Sequence, residues 1–473
     1  MKRRTKIVCT LGPATDSKEK IAALIDAGMN VARLNCSHGD WEIKHRWVQW
    51  IRELSPREDR VAPVGILADL QGPKFRTADV PSVELGRGVE LPTGSTATVG
   101  PGRQVPIEQP EILAVMRPGD LLLLGDGEIE IKLLERSGED GFLGKMISGG
   151  VVKSRKGVTV VGRQFNVPAL SEKDIADLEE SAKAGVDFIA LSYVKHAEDV
   201  RLLRTHMDRL NYHASIVAKI ETREAVKDID LILPAVDVVM IARGDMGLQM
   251  NLADVPKAQK FLLERCSAAG VPAITATQML ESMVVNPRPT RAEASDVYNA
   301  ILDGTDAVML SGETAAGAWP IESVKVMARL AEEGEEAFEK ARLDRRTLRV
   351  LATEPTDAIA QAVATLERQI RAKAVLTTST SGQTPRLVAR HRPRSPILCA
   401  TWKPETLGFL SVVWGVEAAM IPSPDYGDDT YLHAIEAFTR AKRLKSGDRI
   451  VFTAGVPAGI PGRTNLIMVQ QVP

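Results

Sequence analysis

The sequence predicts an α/β protein built on a (β/α)8 TIM barrel, with a small β-barrel lid domain inserted into it and an open α/β domain after it. Three observations carry this expectation. Short β-branched runs alternate with amphipathic segments from the first residues onward, as β/α units around a parallel sheet require. One step between successive strand starts is far longer than the rest, and the long stretch is rich in glycine. The alternation then begins afresh near residue 346. In a chain of 473 residues this amounts to three domains, at 1–72 with 169–345, at 73–168, and at 346–473.

The barrel strands are expected at Lys6 to Leu11, Asn30 to Asn35, Val64 to Asp69, Val186 to Ser192, Ser215 to Ile220, Val236 to Ala242, Val271 to Ala276 and Asp306 to Leu310. Helix signals separate them. Asp16 with Glu19 and Ser171 with Asp174 have capping-box spacing, and Gly28, Gly185 and Gly270 stand where a left-handed residue ends a helix. A weak repeat runs through four units, each a glycine, six strand residues and a polar residue: Gly28 to Asn35, Gly185 to Ser192, Gly270 to Thr277 and Gly304 to Ser311. Each polar group falls at a strand's carboxyl end, where barrels of this kind carry chemistry, although a hydroxyl there also serves as a helix cap.

Between the third and fourth strands, Pro73 to Pro168 holds 15 of the 36 glycines and alternating stretches at Ser95 to Val99 and Glu128 to Leu133. These describe a small β domain leaving from the carboxyl end of a strand, as a lid would. After the barrel, a helix from Thr356 and strands Ala372 to Thr377, Pro396 to Ala400, Val416 to Ile421, Arg449 to Thr453 and Leu466 to Gln470 make the open α/β domain.

Composition removes several functions. Sixty Lys and Arg against 61 Asp and Glu leave a net charge of −1, so no global basic excess points to nucleic acid or an anionic membrane. The longest apolar runs, such as Val238 to Ala242, are too short to span a bilayer, and the charged start Met1 to Arg4 leads into a strand and a Gly-Pro turn rather than a leader. Cys9, Cys36, Cys266 and Cys399 stand alone, without CxxC spacing, which fits a reduced, cytoplasmic protein.

The chemistry-bearing residues gather at strand ends. The fifth strand ends Ala218-Lys219-Ile220-Glu221, delivering an ammonium and a carboxylate to the same side, and the sixth leads into Arg243-Gly244-Asp245-Met246-Gly247. Glu221 and Asp245 suit a Mg2+ ion, which takes one or two carboxylates and completes its shell with water and substrate oxygens. The alternative is a structural ion pair of Lys219 with Glu221. Arg33, Arg76 and Lys156, the last in the basic run Lys153 to Gly157, are cations from barrel and insert that could close on a phosphoryl group, although for Lys156 a solvated surface run competes. No GxxxxGK[ST] loop and no Ser-His-Asp arrangement is present, and of the histidines only His38 is a candidate nucleotide contact. In the last domain Ser379-Thr380-Ser381-Gly382-Gln383-Thr384 lies between a strand and a helix beginning near Pro385, where hydroxyls and free amides suit an anion.

Thr5 to Thr15, Asn30 to Gly39, Leu70 to Thr77, Ala218 to Glu221, Ile241 to Gly247, Ala276 to Ser282, Pro287 to Ala292 and Met309 to Ala315 closely resemble the motifs of the pyruvate kinase family, and the resemblance runs the whole length. It implies phosphoryl transfer from phosphoenolpyruvate to ADP, giving pyruvate and ATP, with Mg2+ or Mn2+ on Glu221 and Asp245. By match to the motifs, Lys219 stabilises the transferring phosphoryl group, Arg33 binds the phosphate, and the amides of Gly244 and Asp245 with Thr277 hold the carboxylate. Thr277 and Ser311 would order the water that protonates the enolate, and His38, Arg76 and Lys156 would meet the nucleotide. The loop Ser379 to Thr384 would hold the phosphate of an allosteric effector, facing Gly455 to Asn465 with Arg463 available. A homotetramer is the family expectation.

One segment departs from the commonest form. Most members of the family bind K+ on groups matching Asn35, Ser37, Asp69 and the carbonyl of residue 70, with a Glu matching position 74. Here Leu70, Gln71 and Lys74 resemble the smaller class in which a lysine stands there, so K+ is expected not to be required. Two other functions compete: a metal-dependent lyase or aldolase acting on a pyruvate enolate, which needs no phosphate-gripping lid, and a non-catalytic phosphometabolite sensor, which needs no Lys219.

Overall fold

The computed structural model describes residues 3–56, 61–73, 75–80, 88–125, 127–163, 167–344, 354–423, 430–455 and 464–473. The chain opens with β1 (Lys6–Thr10), β2 (Val31–Asn35) and β3 (Gly65–Asp69). The insert supplies β4 (Val89–Leu91), β5 (Thr96–Val99), β6 (Leu121–Leu124), β7 (Ile129–Arg136), β8 (Phe142–Ser148), β9 (Gly150–Val152) and β10 (Val158–Val160). Then follow β11 (Phe188–Leu191), β12 (Ser215–Ile220), β13 (Val238–Ala242), β14 (Ala273–Ala276) and β15 (Ala307–Leu310). These last five and the first three close into one parallel barrel in the order β1-β15-β14-β13-β12-β11-β3-β2. All eight expected barrel strands are present.

Side-chain parity explains why this ring carries a site at one end only. Along a strand alternate side chains face the same way. Ile7, Cys9, Ala32, Leu34, Ile66, Ala68, Ile189 and Leu191 belong to the core shared with the surrounding helices. Val8, Val31, Leu67, Ala190, Val217 and Met309 belong to a second core that fills the barrel. Two residues further along the same six strands come Thr10, Arg33, Asp69, Ser192, Lys219 and Ser311. The inward layer therefore changes from apolar to polar and charged in a single step, and the lower layer makes the barrel a packed body rather than a pore. Phe188 is 1% exposed within that core, where truncation to Ala would cost about 3–5 kcal/mol.

Two local expectations are corrected. The helix Lys18–Ala27 is capped by Ser17, whose side chain accepts from the Lys20 amide, and not by Asp16. Asp16 instead accepts from Trp47 Nε1 at 2.8 Å, because it faces the next helix rather than its own first turn. Ser171 and Asp174 do form a reciprocal capping box, and Gly185 and Gly270 end their helices in the left-handed region, whereas Gly28 ends its helix at φ 123°.

The named strands of the insert all pair antiparallel. Among the described residues it forms a five-stranded sheet, β10-β6-β7-β8-β5, and a two-stranded ribbon, β4-β9, rather than one closed ladder. Both enclose a single apolar core that includes Leu91, Val99, Ile131, Phe142, Val152 and Val160, so the interior is barrel-like even where the hydrogen bonding is split.

The last unit holds β16 (Ala374–Thr378), β17 (Ile397–Thr401), β18 (Val416–Met420), β19 (Arg449–Ala454) and β20 (Leu466–Gln471), ordered β18-β17-β16-β19-β20 with only β20 antiparallel. It docks on the amino-terminal end of the barrel. Lys6 Nζ donates to the Val416 carbonyl at 2.6 Å, Arg392 pairs with Asp306 at 2.8 Å, and Phe409 and Leu410 join the barrel's inner core. The carboxyl ends of the barrel strands are left for the site. The four cysteines are buried free thiols, and no helix among the described residues is long and apolar enough to cross a membrane.

Candidate active site

Asp69, at the end of β3, is the hub of the barrel mouth. Its Oδ2 accepts from Arg33 Nε at 2.7 Å and lies 2.6 Å from Arg33 Nη2, while Lys219 Nζ is 3.3 Å from its Oδ1. Register makes these contacts inevitable. Arg33 on β2 pairs with Leu67 of β3, one pleat below Asp69, so the guanidinium reaches up and across to the carboxylate. Thr10 on β1 supports the other side, accepting from Arg33 Nη1 at 2.9 Å.

Lys219 is the second centre. Its ammonium donates to Ser192 Oγ at 2.7 Å and lies 3.1 Å from Glu221 Oε1. Ser192 in turn donates to the Leu70 carbonyl at 2.7 Å, and Glu221 Oε2 accepts from the Tyr193 amide at 2.8 Å. Burial pushes the Lys219 ammonium down, but Asp69, Glu221 and Asp245 outweigh it and hold the group above its ordinary value. For Asp69, burial pushes up, and Lys219 with Arg33 outweighs it, leaving the carboxyl below the usual range. Glu221 goes the other way: burial raises it, Lys219 only partly offsets this, and the Asp245 charge adds to the rise. Of Asp69 and Glu221, Glu221 is thus the carboxylate whose charge is less compensated, and its buried Oε1 has an ion-pair neighbour but no aligned hydrogen bond.

A further positive charge is what that pair lacks. Among the described residues no group of three His, Cys, Asp or Glu side chains is arranged for a metal, so Glu221 and Asp245 would have to share an ion with water or substrate oxygens. That is the ordinary habit of Mg2+, and an under-compensated carboxylate with an orphaned oxygen fits it.

The cavity over these groups, about 110 Å³, brings together Arg33, Asn35, Ser37, His38, Asp69, Leu70, Arg76, Lys219, Glu221 and Asp245. His38, Arg76 and Asp245 also line a neighbouring cavity of about 210 Å³, whose far wall is Gly125, Val158 and Thr159 of the insert. Gly244 and Thr277 are joined to each other beside this centre: Thr277 Oγ1 accepts the Gly244 amide at 2.8 Å and donates to the Ala276 carbonyl at 2.6 Å. Ser311 Oγ is buried with no hydrogen-bond partner, and its amide donates to Glu313 Oε2 at 2.7 Å. Lys156 lines neither cavity; its ammonium is 3.0 Å from Glu128 Oε2 within the insert. Lys74 lies outside the described residues.

The four-fold repeat turns out to be uneven. Ser192 and Ser311 end their strands at one level, Asn35 stands two residues beyond Arg33, and Thr277 leaves the strand in the left-handed region at φ 68°. Sequence reasoning missed Thr10 as the support of Arg33, Ser192 as a direct partner of Lys219, and Tyr193, which lines both cavities at φ 54°. Ser192 carried a signal as a repeat end. Nothing in the sequence singled out Thr10 or Tyr193.

The family model described as "Pyruvate kinase, barrel domain" matches residues 2–324, and "Pyruvate kinase, alpha/beta domain" matches residues 357–470. A protein named pyruvate kinase from Geobacillus stearothermophilus is 43% identical over 476 aligned residues, covering 100% of this chain and 81% of that protein. The chain belongs to the pyruvate kinase family. Pyruvate kinases of Bacillus licheniformis and of Staphylococcus aureus strain MRSA252 are 40% and 39% identical, each over 99% of this chain and 80% of the relative. Pyruvate kinases generally need a divalent metal, in keeping with the Glu221 and Asp245 pair.

In the last unit the loop Ser379 to Thr384 joins β16 to the helix Gln383–Arg390, whose N-cap is Gly382 at φ 76°. A Cβ on Gly382 would lie 2.8 Å from Phe409 Cδ1, so both backbone shape and space demand glycine. Most of the facing segment, including Arg463, lies outside the described residues.

Proposed function

We infer that this chain transfers the phosphoryl group of phosphoenolpyruvate to ADP, giving pyruvate and ATP in the last step of glycolysis. The observation that carries the reading is the set of buried Asp69 and Glu221 with the partly buried Arg33 and Lys219 at the strand ends, in a chain matched to the family along its whole length. Two cations fixed by carboxylates suit a reaction whose catalysis is chiefly positioning and charge stabilisation.

In this reading Arg33 grips the phosphoryl oxygens of phosphoenolpyruvate, its direction fixed by Asp69 and Thr10. Lys219 faces the charge that develops as the phosphorus leaves the enol oxygen for a β-phosphate oxygen of ADP. The amides of Gly244 and Asp245, with Thr277, hold the substrate carboxylate. Glu221 and Asp245 would hold Mg2+ or Mn2+, which when bound supplies charge neutralisation on phosphate and enolate oxygens. The enolate then takes a proton at carbon 3 from water ordered by Thr277 and Ser311, whose unpartnered hydroxyl supports that role.

His38 and Arg76 meet the nucleotide in the cavity between barrel and insert, and domain 73–168 acts as a lid that excludes water from the phosphoryl group. Lys156 joins them on closure, exchanging Glu128 for a phosphate. K+ is not required: Asp69 already carries two fixed cations, and Lys74 adds a third charge nearby in sequence. The hydroxyls and amides of Ser379 to Thr384 receive a phosphometabolite effector, and the working form is a cytoplasmic homotetramer. A coupled assay of pyruvate release from phosphoenolpyruvate tests the central claim: pyruvate should appear with ADP and divalent metal and not without ADP. Pyruvate formation independent of ADP would overturn it in favour of a lyase.

A further inference from the structure

Among the largest fully buried side chains described in the protein is one lysine. Lys44, in the first turns of the helix Trp41–Leu54, is 2% exposed. A buried ammonium is costly unless its charge and its N–H groups are met. Here the partners are three consecutive backbone carbonyls, those of His38 at 2.8 Å, Gly39 at 2.8 Å and Asp40 at 3.2 Å. All three donors of the ammonium are thereby used. The Trp41 ring adds a π face 5.7 Å from the nitrogen.

The helix itself does not call for this lysine. A cation near a helix N-terminus opposes the macrodipole, and the cap is already supplied by Asp40 Oδ1, which accepts from the Ile43 amide at 3.0 Å. What the ammonium holds is the turn between β2 and the helix. A second lysine, Lys173, reaches the same turn from the helix Glu172–Ala184: it donates to the Cys36 carbonyl at 2.8 Å and pairs with Asp177 at 2.6 Å. Of the five carbonyls from residue 36 to residue 40, four end on an ammonium. With its carbonyls drawn to one side, the turn presents Ser37 and His38 to the other, where both line the charged cavity and His38 also lines the cavity against the insert.

We propose that Lys44 is a positioning residue, a covalently attached monovalent cation in a carbonyl cage that fixes the turn carrying Ser37 and His38 for the nucleotide. The proposal rests on the reading of His38 as a nucleotide contact. Loss of the cation would let the three carbonyls turn toward solvent and swing His38 out of place.

The test is Lys44→Ala, with His38→Ala beside it. The expected result is a folded Lys44→Ala enzyme whose KM for ADP rises about tenfold, as misplacement of a binding group does, with kcat at saturation changed less than about threefold. Methylammonium chloride should restore the ADP KM by entering the vacated cage, and tetramethylammonium chloride at equal ionic strength should not, since it has no N–H to offer. A folded variant with wild-type ADP KM, or one that both salts affect equally, overturns the proposal. If Lys44→Ala does not fold, Lys44→Gln retains two N–H donors without the charge; it should raise the ADP KM at least about threefold, and an unchanged value overturns the proposal. An unchanged ADP KM in His38→Ala, where the cage is intact, would instead remove the nucleotide reading of His38 itself.

Discussion

Two sheets in this chain, the barrel and the sheet of the last unit, end in loops that the proposed function assigns to phosphate, and they are built on opposite principles. The barrel mouth is over-supplied with charge and left incomplete: the buried Asp69 Oδ1, Glu221 Oε1 and Ser311 Oγ have no aligned hydrogen bond. The loop after β16 is uncharged from Ser379 to Thr384, and several of its polar groups are already met within the loop or by neighbouring segments. Ser379 Oγ accepts the Gly382 amide at 2.9 Å, Thr406 Oγ1 donates to the Thr380 carbonyl, and the Thr384 and Thr464 hydroxyls are 2.6 Å apart. Incompleteness stabilised by a rigid barrel is what chemistry needs, since only substrate and metal complete the set. In the proposed reading, a loop whose polar groups are already met binds and releases an anion without disturbing the fold.

The comparison breaks most visibly at Lys219. Lys219→Met should lower kcat by about 10³-fold, as loss of a group that acts on transition-state charge does, while Mn2+ and phosphoenolpyruvate still bind. Single-turnover kinetics with a separate Mn2+ titration would check this. A variant retaining a tenth of wild-type kcat would show that the ammonium only pairs carboxylates. Asp245→Asn comes next. It should weaken Mn2+ binding at least about 100-fold, read as free Mn2+ by electron paramagnetic resonance, because the remaining carboxylate, Glu221, already faces Lys219. Equal Mn2+ affinity in that variant would remove Asp245 from the metal set.

The strands were legible because burial imposes its period on sequence. Eight β-branched runs between capped helices admit few arrangements other than a closed barrel, and Lys219 with Glu221 could be placed on one side by parity alone. What stayed hidden was anything set by the neighbouring strand. Thr10 carries Arg33 only because β1 lies beside β2, and Ser192 meets Lys219 only because β11 lies beside β12. Asp69 was legible as part of a cation pocket but not as the counter-ion of both Arg33 and Lys219, which is a fact of register. Tyr193 meets Glu221 through its amide and Asp245 through its phenol, and no side-chain motif reports either.

Charge at the mouth sharpens the comparison a third way, through K+. If fixed ammonium groups supply what an alkali ion would, the wild-type enzyme should keep nearly full activity when tetramethylammonium replaces K+ at equal ionic strength. Lys74→Glu should then acquire K+ dependence. Activation of the wild type by more than about tenfold under that ionic-strength control would mean that Asn35, Ser37 and Asp69 still form a working K+ pocket.

The smallest effect is expected at the loop after β16, and the structure decides which residue can report it. Thr384 is buried and hydrogen-bonded to Thr464, so a carboxylate placed there would disturb packing whatever the loop binds. Ser381 is exposed at the turn before Gly382 and makes a cleaner probe. Ser381→Glu should set a like charge where an effector phosphate would sit and abolish activation by sugar phosphates or nucleoside monophosphates, a loss of about fivefold or more in apparent phosphoenolpyruvate affinity, with unactivated kcat within about twofold of wild type. Phosphoenolpyruvate saturation curves across a panel of phosphometabolites would measure it. If none of them shifts the wild-type curve, the loop is only a strand-to-helix turn, and the contrast with the barrel mouth becomes one between a site and a structural element.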